Sequence, residues 1–259
     1  MIHLPEEINR REELQRFENM PEMKWQEVKG FEGIVGEPFR AGNEVHVWQA
    51  SARRESHSIG AYYRILSDEE KSKAMNYKFP EARELYAESR INLRLLLAAY
   101  TGLDASTLKF EKTKYGKPFL SGQPQGEEIY FNMTHDERNV LYVVSSKRDA
   151  GIDLEKVKDH LDWQDLARRY FTAQEISFVE ALPHDDQVHA FYYLWTRKEA
   201  LLKAIGIGLS GIEMMKHTRL LYHLHQQFHL ASFRFSPMRY CSLAISPTAS
   251  KINFYHLPS

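Results

Sequence analysis

The sequence predicts an α+β fold of two similar lobes, each a small, mostly antiparallel sheet packed with helices. Three observations point there. Val140-Leu-Tyr-Val-Val-Ser145 is echoed by Tyr240-Cys-Ser-Leu-Ala-Ile-Ser246. Both long helical segments end in a similar glycine-leucine stretch, Thr101-Gly-Leu103 and Gly206-Ile-Gly-Leu209. Both halves run strand, helices, strands, which favours paired α+β lobes over a doubly wound parallel sheet and puts a site between them.

The elements follow in order. Residues 1–42 are polar, broken by Pro5, Pro21 and Pro38, and lack sustained periodicity, so they read as an N-terminal extension. The first lobe covers 43–149 and opens on a strand, with Val45, Val47 and Gln49 alternating against His46, Trp48 and Ala50. Ser67 is an N-cap candidate ahead of Asp68, Glu69 and Glu70, which predicts a helix over 68–77. A second helix follows Pro80; Leu85, Leu93, Leu96, Leu97 and Tyr100 recur at helical spacing, and Gly102 stands where a C-terminal cap belongs. Strand-like runs lie at 108–110, 129–131 and 140–145. The second lobe, 150–259, has a strand at 152–155, helices over 163–170, 173–182 and 188–205, and strands near 218–222, 227–235, 240–246 and 252–255.

A chain of 259 residues that is 43% hydrophobic and 27% charged can bury a real core. Its 34 Lys and Arg against 35 Asp and Glu leave a net charge of -1, so it has no global basic field for a nucleic acid. No window approaches the roughly 18 apolar residues of a membrane span, and the charged N-terminus does not read as a signal peptide. Cys241 alone allows neither an internal disulfide nor a cysteine metal site, and the expected location is the cytoplasm.

Three segments carry chemistry. In Gly151-Ile-Asp-Leu-Glu155, strand alternation turns Asp153 and Glu155 to one face and Ile152 and Leu154 to the other. Two carboxylates on one patch repel unless a cation separates them, which suggests a hard metal; an ordinary acidic strand edge is the alternative. In Trp195-Thr-Arg-Lys-Glu199-Ala-Leu-Leu-Lys203, helical spacing aligns Trp195, Glu199 and Lys203, with Lys198 off that line. Glu199 and Lys203 are either an exposed ion pair or a third oxygen ligand beside a phosphate-directed cation. The third segment joins a Gly116-Lys117-Pro118 turn to Phe131-Asn-Met-Thr134-His135, which offers an ammonium, a hydroxyl and an imidazole, groups that bind phosphate. A surface turn and a capped strand are the plain reading. His223, His225 and His229 also cluster, without a recognised zinc spacing, and read as a solvated strand face.

Together these segments, in this order and over residues 44–257, resemble the 4'-phosphopantetheinyl transferases of the surfactin-synthetase-activating (Sfp) type. The resemblance implies a pseudo-twofold monomer of two lobes, with coenzyme A and Mg²⁺, or alternatively Mn²⁺, at their interface. It implies an acyl or peptidyl carrier protein as second substrate and no nucleic-acid or membrane partner. Asp153, Glu155 and Glu199 would be metal ligands, and Lys203 would contact the pyrophosphate or the departing oxygen. Lys117 and His135, with Thr134 nearby, would hold the 3'-phosphate; Lys71, Lys73 and Arg83 would add phosphate contacts in the stretch that matches least, and Lys198 joins the coenzyme-binding set. The reaction would convert an apo to a holo carrier and release 3',5'-ADP, with Glu199 slightly favoured over a water as base. A non-catalytic coenzyme A- or carrier-binding protein is the alternative. Leu161, Trp163, Leu166 and Phe171, rimmed by Arg168 and Arg169, are either a docking stripe for the carrier's acidic, apolar helix or lobe packing.

Overall fold

The structure is a computed structural model and describes residues 10–30, 35, 37–51, 62–136, 139–146, 150–158, 160–217, 223, 224 and 226–257. It is a mixed α+β chain in two compact units. One holds residues 25–113, 118–148 and 248–259, and the other holds 1–24, 114–117 and 149–247.

The first unit is built on a five-stranded sheet. Its strands are β1 (Trp25–Gln26), β2 (Glu44–Ser51), β5 (Tyr130–His135), β6 (Asn139–Ser145) and β10 (Lys251–His256), in the order β1-β10-β2-β6-β5. β10 runs parallel to both its neighbours, and the remaining pairs are antiparallel. A short α2 (Glu37–Arg40) precedes β2, and the hairpin of β3 (Phe110–Lys112) and β4 (Pro118–Leu120) stands apart from the sheet. Helix α3 (Asp68–Met75) starts at a capping box in which Ser67 and Glu70 satisfy each other's backbone N–H. Helix α4 (Pro80–Thr101) begins at a proline and ends at Gly102, whose φ of 71° only glycine adopts readily. Aromatic bulk fills the space between helix and sheet. Trp48 and Tyr142 are register partners on the sheet; Trp48 Nε1 donates to Tyr100 Oη at 2.8 Å and Tyr142 Oη donates to the Ser89 carbonyl at 2.9 Å.

The second unit is built on an antiparallel sheet of β7 (Gly151–Lys156), β9 (Arg239–Ile245) and β8 (His229–Ser236), in that order. Its helices are α1 (Arg10–Glu18), α5 (Trp163–Tyr170), α6 (Ala173–Glu180) and α7 (His184–Ile205), followed by a 3₁₀ segment, Leu209–Lys216. α6 opens on the same device as α3, a capping box of Thr172 and Glu175. α7 ends on Gly206 at φ 75°. Its core gathers Phe171, Phe178, Phe191, Tyr193 and, from the N-terminal segment, Phe17 and Met20.

Several expectations change. The segment 1–42 is not one extension: α1 is packed into the second unit and β1 adds to the first unit's sheet, because each finds tertiary partners that its own sequence does not reveal. The second half does not close on itself either, since β10 inserts beside β2. The helix expected from 188 begins at His184, directly after Pro183, with Asp185 and Asp186 in its first turn. The expected strand at 218–222 lies outside the described residues, as does His225; His223 sits in a helical turn while His229 is on a strand, so these two do not share a strand face. No described helix is long and apolar enough to cross a membrane.

Candidate active site

Within the second unit, α7 lies across one face of the three-stranded sheet. Strand alternation places Gly151, Asp153 and Glu155 on that face, with Ala244, Ser242 and Tyr240 as their cross-strand partners. The helix follows this row: His189 Nδ1 meets Tyr240 Oη at 2.9 Å, Thr196 Oγ1 meets Ser242 Oγ at 2.9 Å, and Ala200 and Ala204 pass over Gly151. A Cβ on Gly151 would stand 2.0 Å from the Ala200 carbonyl oxygen, so glycine is what allows the backbones to come this close.

That approach brings the expected acidic residues to one place. Asp153 is 3% exposed and Glu199 7%, and Glu155 is half-buried. Lys203 Nζ donates to Asp153 Oδ1 at 2.6 Å, which ties the last turn of α7 to the strand. Burial, chiefly, pushes the Glu199 carboxyl up to about 7; the negative charge of Asp153 pushes the same way, Lys203 opposes it, and Glu155 adds to it. A carboxyl poised near neutrality can take or give a proton at physiological pH.

Among the described residues, no three His, Cys, Asp or Glu side chains already converge as a metal cage. The fit to a cation rests on donor chemistry. Asp153, Glu155 and Glu199 supply only hard carboxylate oxygens, and their mutual repulsion, felt at Glu199, is what a divalent cation relieves.

The remaining expected residues divide between the units. In the second, Lys198 does not join the acidic cluster. It is 2% exposed, pairs with Glu175 at 2.9 Å and donates to the Met215 carbonyl at 2.7 Å, so it fastens α6 and the 3₁₀ segment to α7. Burial lowers its pKa, and Glu175 offsets part of that. Lys117 donates to the Ala204 carbonyl at 2.6 Å, at the C-terminal turn of α7, and packs against Gly206. In the first unit, β5 carries a buried Thr134 and an exposed His135. Lys71 reaches Asp68 at 3.5 Å, Lys73 lies over the Tyr86 ring at 5.2 Å, and Arg83 donates to the Tyr77 carbonyl at 3.4 Å.

The stripe at 161–171 is mainly packing. Phe171 is fully buried against Phe191 at 5.3 Å, and Trp163 lies 6.0 Å from the same ring; Arg168, paired with Asp165, and Arg169 stay exposed. Sequence reading passed over Thr196, Ser232 and Ser242, which meet only where α7 crosses the paired strands and carry no local signal. Gly151 had a signal, a glycine opposite a helix face of alanines, but only the register shows which helix.

Comparison with known proteins gives one answer. Residues 149–247 match the family model described as the 4'-phosphopantetheinyl transferase superfamily, and residues 47–147 match that of the 4'-phosphopantetheinyl transferase N-terminal region. The chain is 32% identical to the 4'-phosphopantetheinyl transferase HetI of Nostoc sp. over 66% of this chain and 72% of that one. It is 33% identical to the 4'-phosphopantetheinyl transferase Sfp of Bacillus subtilis over 57% of this chain and 68% of that one. With the 4'-phosphopantetheinyl transferase AcpT of Salmonella typhimurium it shares 33% identity over 35% of this chain and 46% of that one.

Proposed function

The chain belongs to the 4'-phosphopantetheinyl transferase superfamily, and we propose that it moves the 4'-phosphopantetheine group of coenzyme A onto a serine of an acyl or peptidyl carrier protein. The observation that carries this reading is the buried pair Asp153 and Glu199, whose charges and that of Glu155 act on one another, with Lys203 held on Asp153 at 2.6 Å.

The serine oxygen attacks the phosphorus that bears the pantetheine arm, the bond from that phosphorus to the bridging oxygen breaks, and 3',5'-ADP leaves. Glu199 is the base proposed to take the serine proton. Lys203, released from Asp153, neutralises charge on the departing oxygen. Asp153, Glu155 and Glu199 would hold Mg²⁺, or Mn²⁺ in its place, and such a cation supplies charge neutralisation at the pyrophosphate. Thr134 and His135, with Lys71, Lys73 and Arg83, are the proposed phosphate contacts of coenzyme A. Lys117, half-buried with its ammonium on the Ala204 carbonyl, stays in the proposed set, and Lys198 is left out because it is 2% exposed and held by Glu175 and the Met215 carbonyl. Arg168 and Arg169 are the proposed basic contacts for the carrier. A non-catalytic coenzyme A- or carrier-binding protein is the second reading, and the relatives named as transferases favour catalysis over it.

The test is to incubate the protein with coenzyme A, Mg²⁺ and a panel of apo carrier proteins, and to record intact carrier masses with and without EDTA. The expected result is a gain of one phosphopantetheine that EDTA abolishes. No mass gain on any carrier overturns the reading.

A further inference from the structure

The face of the second unit's sheet that carries Asp153 also carries a row of hydroxyls. Asp153 pairs in register with Ser242, and Ser242 with Ser232, so the three side chains stand side by side across β7, β9 and β8. Ser232 Oγ and Ser242 Oγ are 3.0 Å apart. Above them, α7 contributes Thr196, whose Oγ1 is 2.9 Å from Ser242 Oγ, and Arg197, whose Nη1 is 3.1 Å from Ser232 Oγ. Thr196 and Ser242 are both fully buried.

The direction of these hydrogen bonds is fixed by their ends. A guanidinium only donates, so Ser232 accepts from Arg197; the Tyr193 carbonyl only accepts, so Thr196 Oγ1 donates to it at 3.1 Å. Each hydroxyl between then gives one hydrogen and takes one. The run is Arg197 to Ser232 to Ser242 to Thr196 to the Tyr193 carbonyl, and bonds aligned in this way polarise one another.

The charged end of this run is held by the N-terminal helix. Glu13 of α1 is 5% exposed; it accepts from Tyr193 Oη at 2.7 Å and lies 3.7 Å from Arg197 Nε, with Arg16 at 3.3 Å on its outer side. Burial raises the Glu13 carboxyl, but Arg197 first, then the Tyr193 hydrogen bond and Arg16, hold it below the usual carboxylate range, so it stays ionised. Hydrogen bonds are directional, so the hydroxyl run adds a constraint on the rotation and slide of α7 over the sheet, within one helical turn of Glu199 and one strand of Asp153.

We propose that Thr196, Arg197, Ser232 and Ser242 are positioning residues that set Glu199 against Asp153, and that Glu13 makes the N-terminal helix part of this support. The inference rests on the transferase reading for its kinetic consequence and not for its structural one.

The test compares Thr196→Val, which keeps shape and removes the hydroxyl, with Thr196→Ser, which keeps the hydroxyl, and adds Ser242→Ala and Glu13→Gln. Thr196→Val and Ser242→Ala should lower kcat about 10- to 100-fold with little change in the KM for coenzyme A. Glu13→Gln should show a smaller fall, and Thr196→Ser should approach wild type. In parallel, amide hydrogen exchange of each variant should quicken chiefly in 151–155 and 196–204. Unchanged kcat per folded molecule, or exchange that quickens evenly across the unit, overturns the proposal. If the wild-type protein transfers nothing to any carrier, the functional reading fails alone and the exchange pattern decides this one; if Thr196→Val does not fold, Ser242→Ala decides.

Discussion

The two units repeat one construction and part ways at a few positions. In each, a capping box opens a short helix, Ser67 with Glu70 and Thr172 with Glu175. In each, the capping-box glutamate is also a buried counter-ion for the long helix, Glu70 for Arg94 at 2.7 Å and Glu175 for Lys198 at 2.9 Å. Both bases stand eight positions before the left-handed glycine that ends their 22-residue helix. Where the second unit then has Glu199 and Lys203, the first has Leu95 and Ala99. Its strand turns His46, Trp48 and Ala50 toward the helix, where the second turns Gly151, Asp153 and Glu155. Bulky aromatics keep one helix at a distance, whereas a glycine and small hydroxyls let the other descend until carboxylates share a buried gap. The scaffold is common to both; the buried carboxylates belong to the unit whose helix is met by a glycine.

The largest expected effect breaks that difference. Glu199→Gln makes the second unit's helix as uncharged at that point as the first's, and turnover should fall about 10²- to 10⁴-fold while coenzyme A still binds, read by carrier mass and calorimetry. Next come the shared counter-ions. Glu70→Ala strands Arg90 and Arg94, and Glu175→Ala strands Lys198; each should cost about 3–5 kcal/mol in urea unfolding.

A pH series sharpens the contrast because His46 in one unit and Glu199 in the other, both buried, act with opposite sign. In the first unit, His46 Nδ1 meets Tyr100 Oη at 2.6 Å, and burial lowers the His46 pKa from 6.5 to about 4, with Glu44 opposing. A depressed pKa means its contribution is present above 6.5 and is lost as pH falls through 4. Glu199 is raised from 4.5 to about 7, so its contribution is full below 4.5 and is lost as pH rises through 7. Each is worth about 3 kcal/mol. Unfolding free energies should therefore decline on both flanks, and Glu199→Gln should remove only the upper decline; an unchanged upper flank counts against the buried carboxyl. The smallest effect is the one the units share: Ser67→Ala and Thr172→Ala should each cost about 1 kcal/mol.

What was legible in the sequence follows the range over which each signal acts. Pro80, Gly102 and Gly206 mark helix ends because they act on their own backbone, and alternation alone put Asp153 and Glu155 on one face. Even the separation of Lys198 from Lys203 was visible as helical phase, although phase does not say that the Lys198 side of the helix is buried. The N-terminal helix was not legible. Leu14 and Phe17 are too few to make a stripe, and the partner that holds Glu13 lies on the far side of the sequence at Arg197. The hairpin strand Pro118–Leu120 is too short for a period to register.

The position of β10 has a bearing on how the molecule is made. It is an interior strand of the first unit's sheet, parallel to β1 on one side and β2 on the other, yet it follows every other described strand in chain order. While residues 251–256 are still inside the ribosome, the edge of β2 has no partner there and β1 has nothing to join. The first unit therefore starts before the second unit's strands are made and closes after them, with an open strand edge as its waiting state, the kind of surface that chaperones cover.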